Sequence, residues 1–137
     1  MIIKDYSRAV NYYETDNMGI VHHSNYLRYF EEARICFMNQ IDCGVKKLED
    51  VGLIIPNVDA YAKYIVPLRF GDAFTVKIKL IEFNGVKFRL EYELINQDDV
   101  LCSTGFTTHC FVNNRMKPVS IRKNYSDLFE TMKSFVE

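Results

Sequence analysis

The chain has 137 residues, 48% apolar and 26% charged, the make-up of an ordinary soluble globular domain long enough to bury a core of its own. Its 17 basic and 18 acidic residues leave a formal net charge of −1, so no overall field draws in nucleic acid or an anionic membrane. No stretch approaches the ~20 apolar residues of a membrane span, and the opening Met-Ile-Ile-Lys-Asp-Tyr-Ser-Arg has no apolar signal core. The expectation is one cytoplasmic domain spanning residues 1–137.

In chain order, the first strand is expected over Ser7 to Tyr13, where Arg8, Val10 and Tyr12 alternate with Ala9, Asn11 and Tyr13. A long helix is expected over Asn25 to Gln40. Tyr26, Phe30, Ala33, Phe37 and Ile41 recur at helical spacing, Leu27 and Met38 widen the stripe, and Ser24 or Asn25 can cap the start. Lys46-Lys47 interrupts the pattern, and a short helical turn over Val45 to Val51 ends at Gly52. Ile54 to Val66 then reads as a strand in which Pro56 points to an edge or an irregular start and Pro67 marks the end. Alternation resumes over Phe74 to Glu82. Asn84-Gly85 supplies a two-residue hairpin turn before a strand over Val86 to Ile95. Asn96 to Asp99 makes the next turn, Leu101 to Val112 the last long strand, and Asn113-Asn114 a further turn. Asn124 or Ser126 can cap a C-terminal helix over Asp127 to Val136, with Leu128, Phe129, Met132 and Phe135 as its apolar side.

One strand, one long helix and then several antiparallel strands imply an α+β architecture with the helix packed on the concave face of a curved sheet. Cys36, Cys43, Cys102 and Cys110 form no C-x-x-C pair, which argues against a zinc ribbon or a redox motif and for reduced, mostly buried thiols.

The segment Tyr12 to Arg34 concentrates an acid, a glycine turn, paired histidines and a helix start. Asp16 closes a polar stretch after a strand-like run, Met18-Gly19 suits a tight turn, and the helix that follows offers free N–H groups to negative charge. A carboxylate beside oriented amide donors is what acyl-group hydrolysis requires: one group to attack or to activate water, another to hold the tetrahedral oxyanion. Asp16 also has a plain reading as a turn acid. Gly19 serves either backbone geometry or close approach of a ligand. His22 and His23 are adjacent, diverge in direction and lack the spacing of a metal site, so no metal is expected. His109, alone on a late strand, reads as packed or exposed.

The order E-T-D-N-M-G-I-V-H-H-S-N-Y-L-R-Y-F-E-E-A-R, residues 14 to 34, resembles the 4-hydroxybenzoyl-CoA thioesterase-like branch of the hotdog-fold acyl-CoA thioesterases, including the YbgC-type proteins. A second family-like stretch, Tyr64 to Asp72 (Y-I-V-P-L-R-F-G-D), follows, and the likeness continues weakly to about Pro118. Glu14 departs from the Asp of many members and is expected to sit at an exposed loop edge. The resemblance implies a hotdog fold and subunits that join sheets edge to edge into a homodimer or a homotetramer built as a dimer of dimers, with active sites between subunits. It implies hydrolysis of an acyl-CoA, coenzyme A being part of the substrate and no cofactor being required.

It also implies roles. Asp16 is the catalytic carboxylate, as nucleophile or general base. The backbone amide at the start of the central helix, which falls on His23, polarises the thioester carbonyl, reinforced by the helix dipole. Gly19, Ile20, Val21, His22, Ser24, Asn25 and Tyr26 border the substrate. A different hotdog lineage carries its catalytic acid on the central helix, which makes Glu31 the alternative to Asp16. Lys63, Arg69, Lys87, Arg89 and Arg115 are unranked candidates for the coenzyme A phosphates. Two other readings stand beside hydrolysis: a hotdog acyl-thioester hydratase or dehydratase, and a non-catalytic acyl-CoA binding module.

Overall fold

The computed structural model describes residues 2–137. Five strands, β1 (Tyr6–Ala9), β2 (Asn57–Tyr64), β3 (Ala73–Phe83), β4 (Lys87–Asn96) and β5 (Leu101–Cys110), form one sheet in the order β1-β3-β4-β5-β2. Every pairing is antiparallel. The long helix α1 (Ser24–Gln40) lies on one face, with the short helices α2 (Val45–Asp50), α3 (Ile121–Asn124) and α4 (Ser126–Ser134) around it. This is the α+β architecture that the order of elements implies, in the hotdog arrangement that the resemblance implies.

Alternation fixes which face is wet. On β3 and β4, Val76, Leu80, Phe88, Leu90, Tyr92 and Leu94 are buried, while Lys77 stands opposite Glu93 and Lys79 opposite Glu91 on the outer face. The helix stripe answers from the other side. Tyr26, Phe30, Ala33, Phe37 and Ile41 are buried as their spacing predicts, and Phe30 stacks on Tyr92 with ring centroids 4.6 Å apart. Met38 joins them, but Leu27 does not widen the stripe: it is 39% exposed.

Several boundaries differ from expectation, each for a local reason. The first strand is not Ser7 to Tyr13. It stops at Ala9, and Tyr12–Glu14 coils into a single 3-10 turn because the Glu14 carboxylate reaches back to accept the Asn11 N–H at 2.7 Å. Neither Ser24 nor Asn25 caps α1, since the helix already includes both; the His22 ring accepts the Ser24 N–H at 3.2 Å instead. The strand expected from Ile54 is confined to Asn57–Tyr64, with Ile54 making only an isolated bridge to Val112. The hairpin turn lies one residue later than Asn84-Gly85: the Asn84 N–H donates to the Lys87 carbonyl at 3.1 Å, which makes Gly85 and Val86 the central pair, and Gly85 takes φ +91°. β5 ends at Cys110 rather than Val112. The C-terminal helix is present as α4, with Tyr125 rather than Asn124 or Ser126 at its N-cap position, and an unexpected short helix α3, capped by Ser120, precedes it. All four cysteines are free thiols, with Cys36 half-buried and the others buried.

Candidate active site

The polypeptide returns on itself between Thr15 and Val21, which form an isolated antiparallel bridge. Inside this loop the Asp16 N–H donates to the Ile20 carbonyl and the Gly19 N–H to the Asp16 carbonyl, both at 2.9 Å. Gly19 supplies the positive φ of +77° that the reversal needs. The loop is tied to the rest of the fold by the Val21 N–H, which donates to the Leu68 carbonyl at 2.8 Å. One carboxylate oxygen of Asp16, Oδ1, accepts the Met18 N–H at 2.8 Å; Oδ2 has no partner among the described residues.

The start of α1 is anchored from behind. The Glu14 carbonyl accepts the His22 N–H at 2.8 Å and the Asn25 side-chain amide at 2.9 Å. The Asn25 and Tyr26 amides turn back to the His22 and His23 carbonyls, and the Ser24 amide is taken by the His22 ring. One amide of this segment is left over: among the described residues nothing accepts the His23 N–H. It stands at the positive end of a 17-residue helix.

Glu14 is the point where expectation fails most clearly. It is buried rather than exposed at a loop edge, forming an ion pair with Arg8, and the Arg8 Nε also reaches Glu32 at 2.8 Å. Burial pushes the Glu14 carboxyl up, but the Arg8 guanidinium and the Asn11 N–H outweigh it and hold the group below the usual carboxylate range. A buried pair of this kind does not guarantee stability; its plain consequence is to fix the segment that leads into Asp16.

Asp16 and His23 border one pocket of about 290 Å³, whose other walls include Ile20, Val21, Tyr26 and Tyr64. Val21 and Tyr26 are buried. Tyr26 accepts the Leu68 N–H on its hydroxyl, and burial raises its pKa. Of the residues expected to border the substrate, Ile20, Val21 and Tyr26 line the pocket; Gly19 shapes the loop beside it; His22, Ser24 and Asn25 lie behind, holding the helix start. The His22 and His23 rings lie 4.2 Å apart and tilted. Glu31 is elsewhere, 3.8 Å from Arg34 in a separate hollow with Ile35, Val45 and Leu53.

Met18, Tyr64, Ile65, Val66 and Pro67 also line the Asp16 pocket and were not among the residues expected to border the substrate. The signal for four of them was present in the second family-like stretch, which begins at Tyr64. Among the five candidate phosphate cations, Arg69 reaches the Asp16 loop, its guanidinium 3.4 Å from the Gly19 carbonyl, whereas Arg89 lies 3.6 Å over the Phe106 ring on the outer face. A larger hollow of about 610 Å³ occupies that outer face. It is a charged sheet surface, lined by Lys77, Lys79, Arg89, Glu91 and Glu93.

The antiparallel sheet with a single long helix on one face, and a pocket bordered by Asp16 and the start of that helix, are the frame of a hotdog thioester hydrolase. The thioesterase-like superfamily matches residues 10–129, and the chain belongs to that superfamily. A crystal structure of a hypothetical protein from Aquifex aeolicus is 40% identical with a TM-score of 0.83, covering 91% of this chain and 98% of its own. YneP of Bacillus subtilis (strain 168), provisionally named an acyl-CoA thioesterase, is 32% identical over 119 residues, 86% of each chain. The DHNA-CoA thioesterase of Staphylococcus aureus, at 24% identity, shares the fold with a TM-score of 0.90 over 95% of this chain and 88% of its own. Among the described residues no helix is long and apolar enough to cross a membrane.

Proposed function

We propose that this protein hydrolyses an acyl-CoA thioester to a carboxylate and free coenzyme A, with Asp16 as nucleophile or general base and the His23 N–H as oxyanion donor. The observation that carries this reading is the placement of an open Asp16 carboxylate oxygen and an unpaired His23 amide at one partly apolar pocket. In either variant the carbonyl oxygen gains negative charge as the carbonyl carbon is attacked, and a preorganised amide at a helix N-terminus stabilises that charge. Collapse expels the thiolate. If Asp16 attacks directly, the acyl group passes to its carboxylate and water then cleaves the mixed anhydride; if it acts as a base, water is the attacking group and Asp16 holds its proton.

The acyl group enters the pocket, and the coenzyme A portion extends along the surface. Two copies of the chain joined through the open edge of β2 would place the pocket, whose wall includes the end of that strand, beside the subunit boundary.

The experiment is release of free thiol from short, medium, long and aromatic acyl-CoAs, with Asp16→Asn as comparison. The substitution keeps the shape of the side chain and removes its basicity, so turnover is expected to fall on the order of 10²-fold or more. Undiminished turnover in the variant would remove Asp16 from the chemistry. An acyl-CoA that binds and stays intact would favour a binding module.

A further inference from the structure

We propose that Tyr64 determines which acyl groups this enzyme accepts, its ring closing the pocket at the mouth and its hydroxyl latching the ring to the start of α1. The inference rests on the thioesterase reading above and deepens it, because neither the sequence motifs nor the comparisons give Tyr64 a role.

The pocket has a fixed interior and an open rim. Val21 and Tyr26 are at most 3% exposed and tied by hydrogen bonds to the Leu68 backbone. The opposing wall is equally constrained, since the Ile65 and Val66 N–H groups both donate to the Cys102 carbonyl, at 2.9 and 3.1 Å. Neither can move far without breaking the sheet. Tyr64, the last residue of β2, stands with Met18 and Ile65 at the exposed rim, on the sheet edge with no neighbouring strand beyond it among the described residues.

Three contacts hold its ring across the pocket. The hydroxyl donates to the His23 carbonyl at 3.2 Å. The ring meets Tyr26 edge-on at 5.0 Å and His23 edge-on at 6.4 Å. Of the rim residues Met18, Tyr64 and Ile65, Tyr64 is the aromatic one and is held by three such contacts, so its size decides how far an acyl group extends. A pocket of about 290 Å³ lies at the small end of ligand sites, a size that suits a short-chain or single-ring acyl group. The latch also bears on turnover, because its acceptor is the carbonyl of the residue whose amide holds the oxyanion.

The test compares wild type, Tyr64→Ala and Tyr64→Phe on straight-chain acyl-CoAs of increasing length and on benzoyl-CoA, with kcat and KM measured separately. Tyr64→Ala is expected to move the optimum to longer chains, raising the long-to-short ratio of kcat/KM by about 10-fold or more, the scale at which pocket shape discriminates methylenes. Tyr64→Phe keeps the ring and the order of preference but loses the latch, lowering kcat by roughly 2- to 10-fold, the worth of one hydrogen bond. Should Tyr64→Ala fail to fold, Tyr64→Leu shortens the side chain and keeps an apolar contact with Tyr26. An active wild type whose length profile is the same in every folded variant overturns the Tyr64 assignment alone. A wild type that releases thiol from no substrate overturns the thioesterase reading and the assignment with it.

Discussion

His23 sits at φ −54° and ψ −31°, a conformation that proline also adopts, and its N–H donates to nothing among the described residues. His23→Pro therefore deletes the proposed oxyanion donor without taking a hydrogen bond from the fold, at a position next to the first helical residue where proline is tolerated. The expected result is a fall in kcat of about 10²- to 10³-fold, as for removal of other oxyanion donors, with a thermal midpoint close to wild type. His23→Ala keeps the amide and removes the ring, so the difference between the two variants isolates the backbone contribution. Equal losses in both would assign the effect to the imidazole. At this scale the Asp16 loop and the start of the long helix were legible, because an acid and a glycine turn ahead of an apolar helical stripe leave a local pattern, although neither expected cap formed. Glu14 was not. Its burial depends on Arg8, whose guanidinium also spans to Glu32 on α1, and a partner that bridges two other elements leaves no periodic trace. Tyr64 was hidden for a related reason: its role comes from a hydrogen bond to a backbone carbonyl 41 residues away in sequence.

Between helix and sheet, the decisive position is Gly105 on β5. A Cβ there would stand 2.3 Å from the Tyr61 carbonyl oxygen and 2.5 Å from the Phe30 ring. Phe30 is buried and stacked on Tyr92, so neither neighbour yields cheaply. Gly105→Ala is expected to destabilise the protein by about 1–3 kcal/mol through overpacking, seen as a lower urea midpoint with an unchanged slope; a stability equal to wild type would mean that α1 rides over β5 more loosely than the contacts indicate. Glycine inside a strand signals close approach by something, but the sequence alone does not say by what. The elements themselves were readable where one face is buried: the α1 stripe and the β3–β4 alternation fell on the expected residues. β2 was harder. Nearly all its side chains are exposed, so alternation had no burial to mark, and the strand came out shorter than Ile54 to Val66.

Two predictions concern the whole molecule, the first being its tolerance of acid. His109 is fully buried, with Nε2 2.8 Å from the Thr107 hydroxyl, which in turn meets the Tyr92 hydroxyl at 2.6 Å. Burial, helped by the charge of Arg34 and opposed by the Ile55 carbonyl and Asp59, brings its pKa down to about 4. Unfolded chains protonate histidine near 6.5. Stability is therefore complete above that pH and falls as the pH drops towards 4, by on the order of 3 kcal/mol in all, and loss of the Arg8–Glu14 pair adds to the fall at the acid end. Thermal midpoints from pH 8 to 4 should drop less steeply in His109→Gln than in wild type; parallel curves would exclude His109 as the cause. The second prediction is self-association. The order of strands leaves one side of β2 without a partner among the described residues. Tyr64, 51% exposed, shares its helix-side face with Ala60 by alternation, and Val58, also 51% exposed, stands in the bulge between Asn57 and Asp59. On the neighbouring helix, Leu27 and Ile35 are 39% and 40% exposed. An open strand edge beside exposed apolar side chains is a surface that proteins ordinarily cover, and a second copy pairing along β2 would cover both edges at once. The chain should sediment at twice its own mass or a multiple of that. Val58→Lys with Ala60→Lys, placing like charges on both sides of the two-fold boundary, should return it to a single chain while leaving the β2–β5 ladder intact. Thiol release should fall with the dissociation, because the pocket, whose wall includes the end of that strand, would lose the subunit beside it. A wild type that is monomeric and fully active at assay concentration would show instead that one chain makes a complete site.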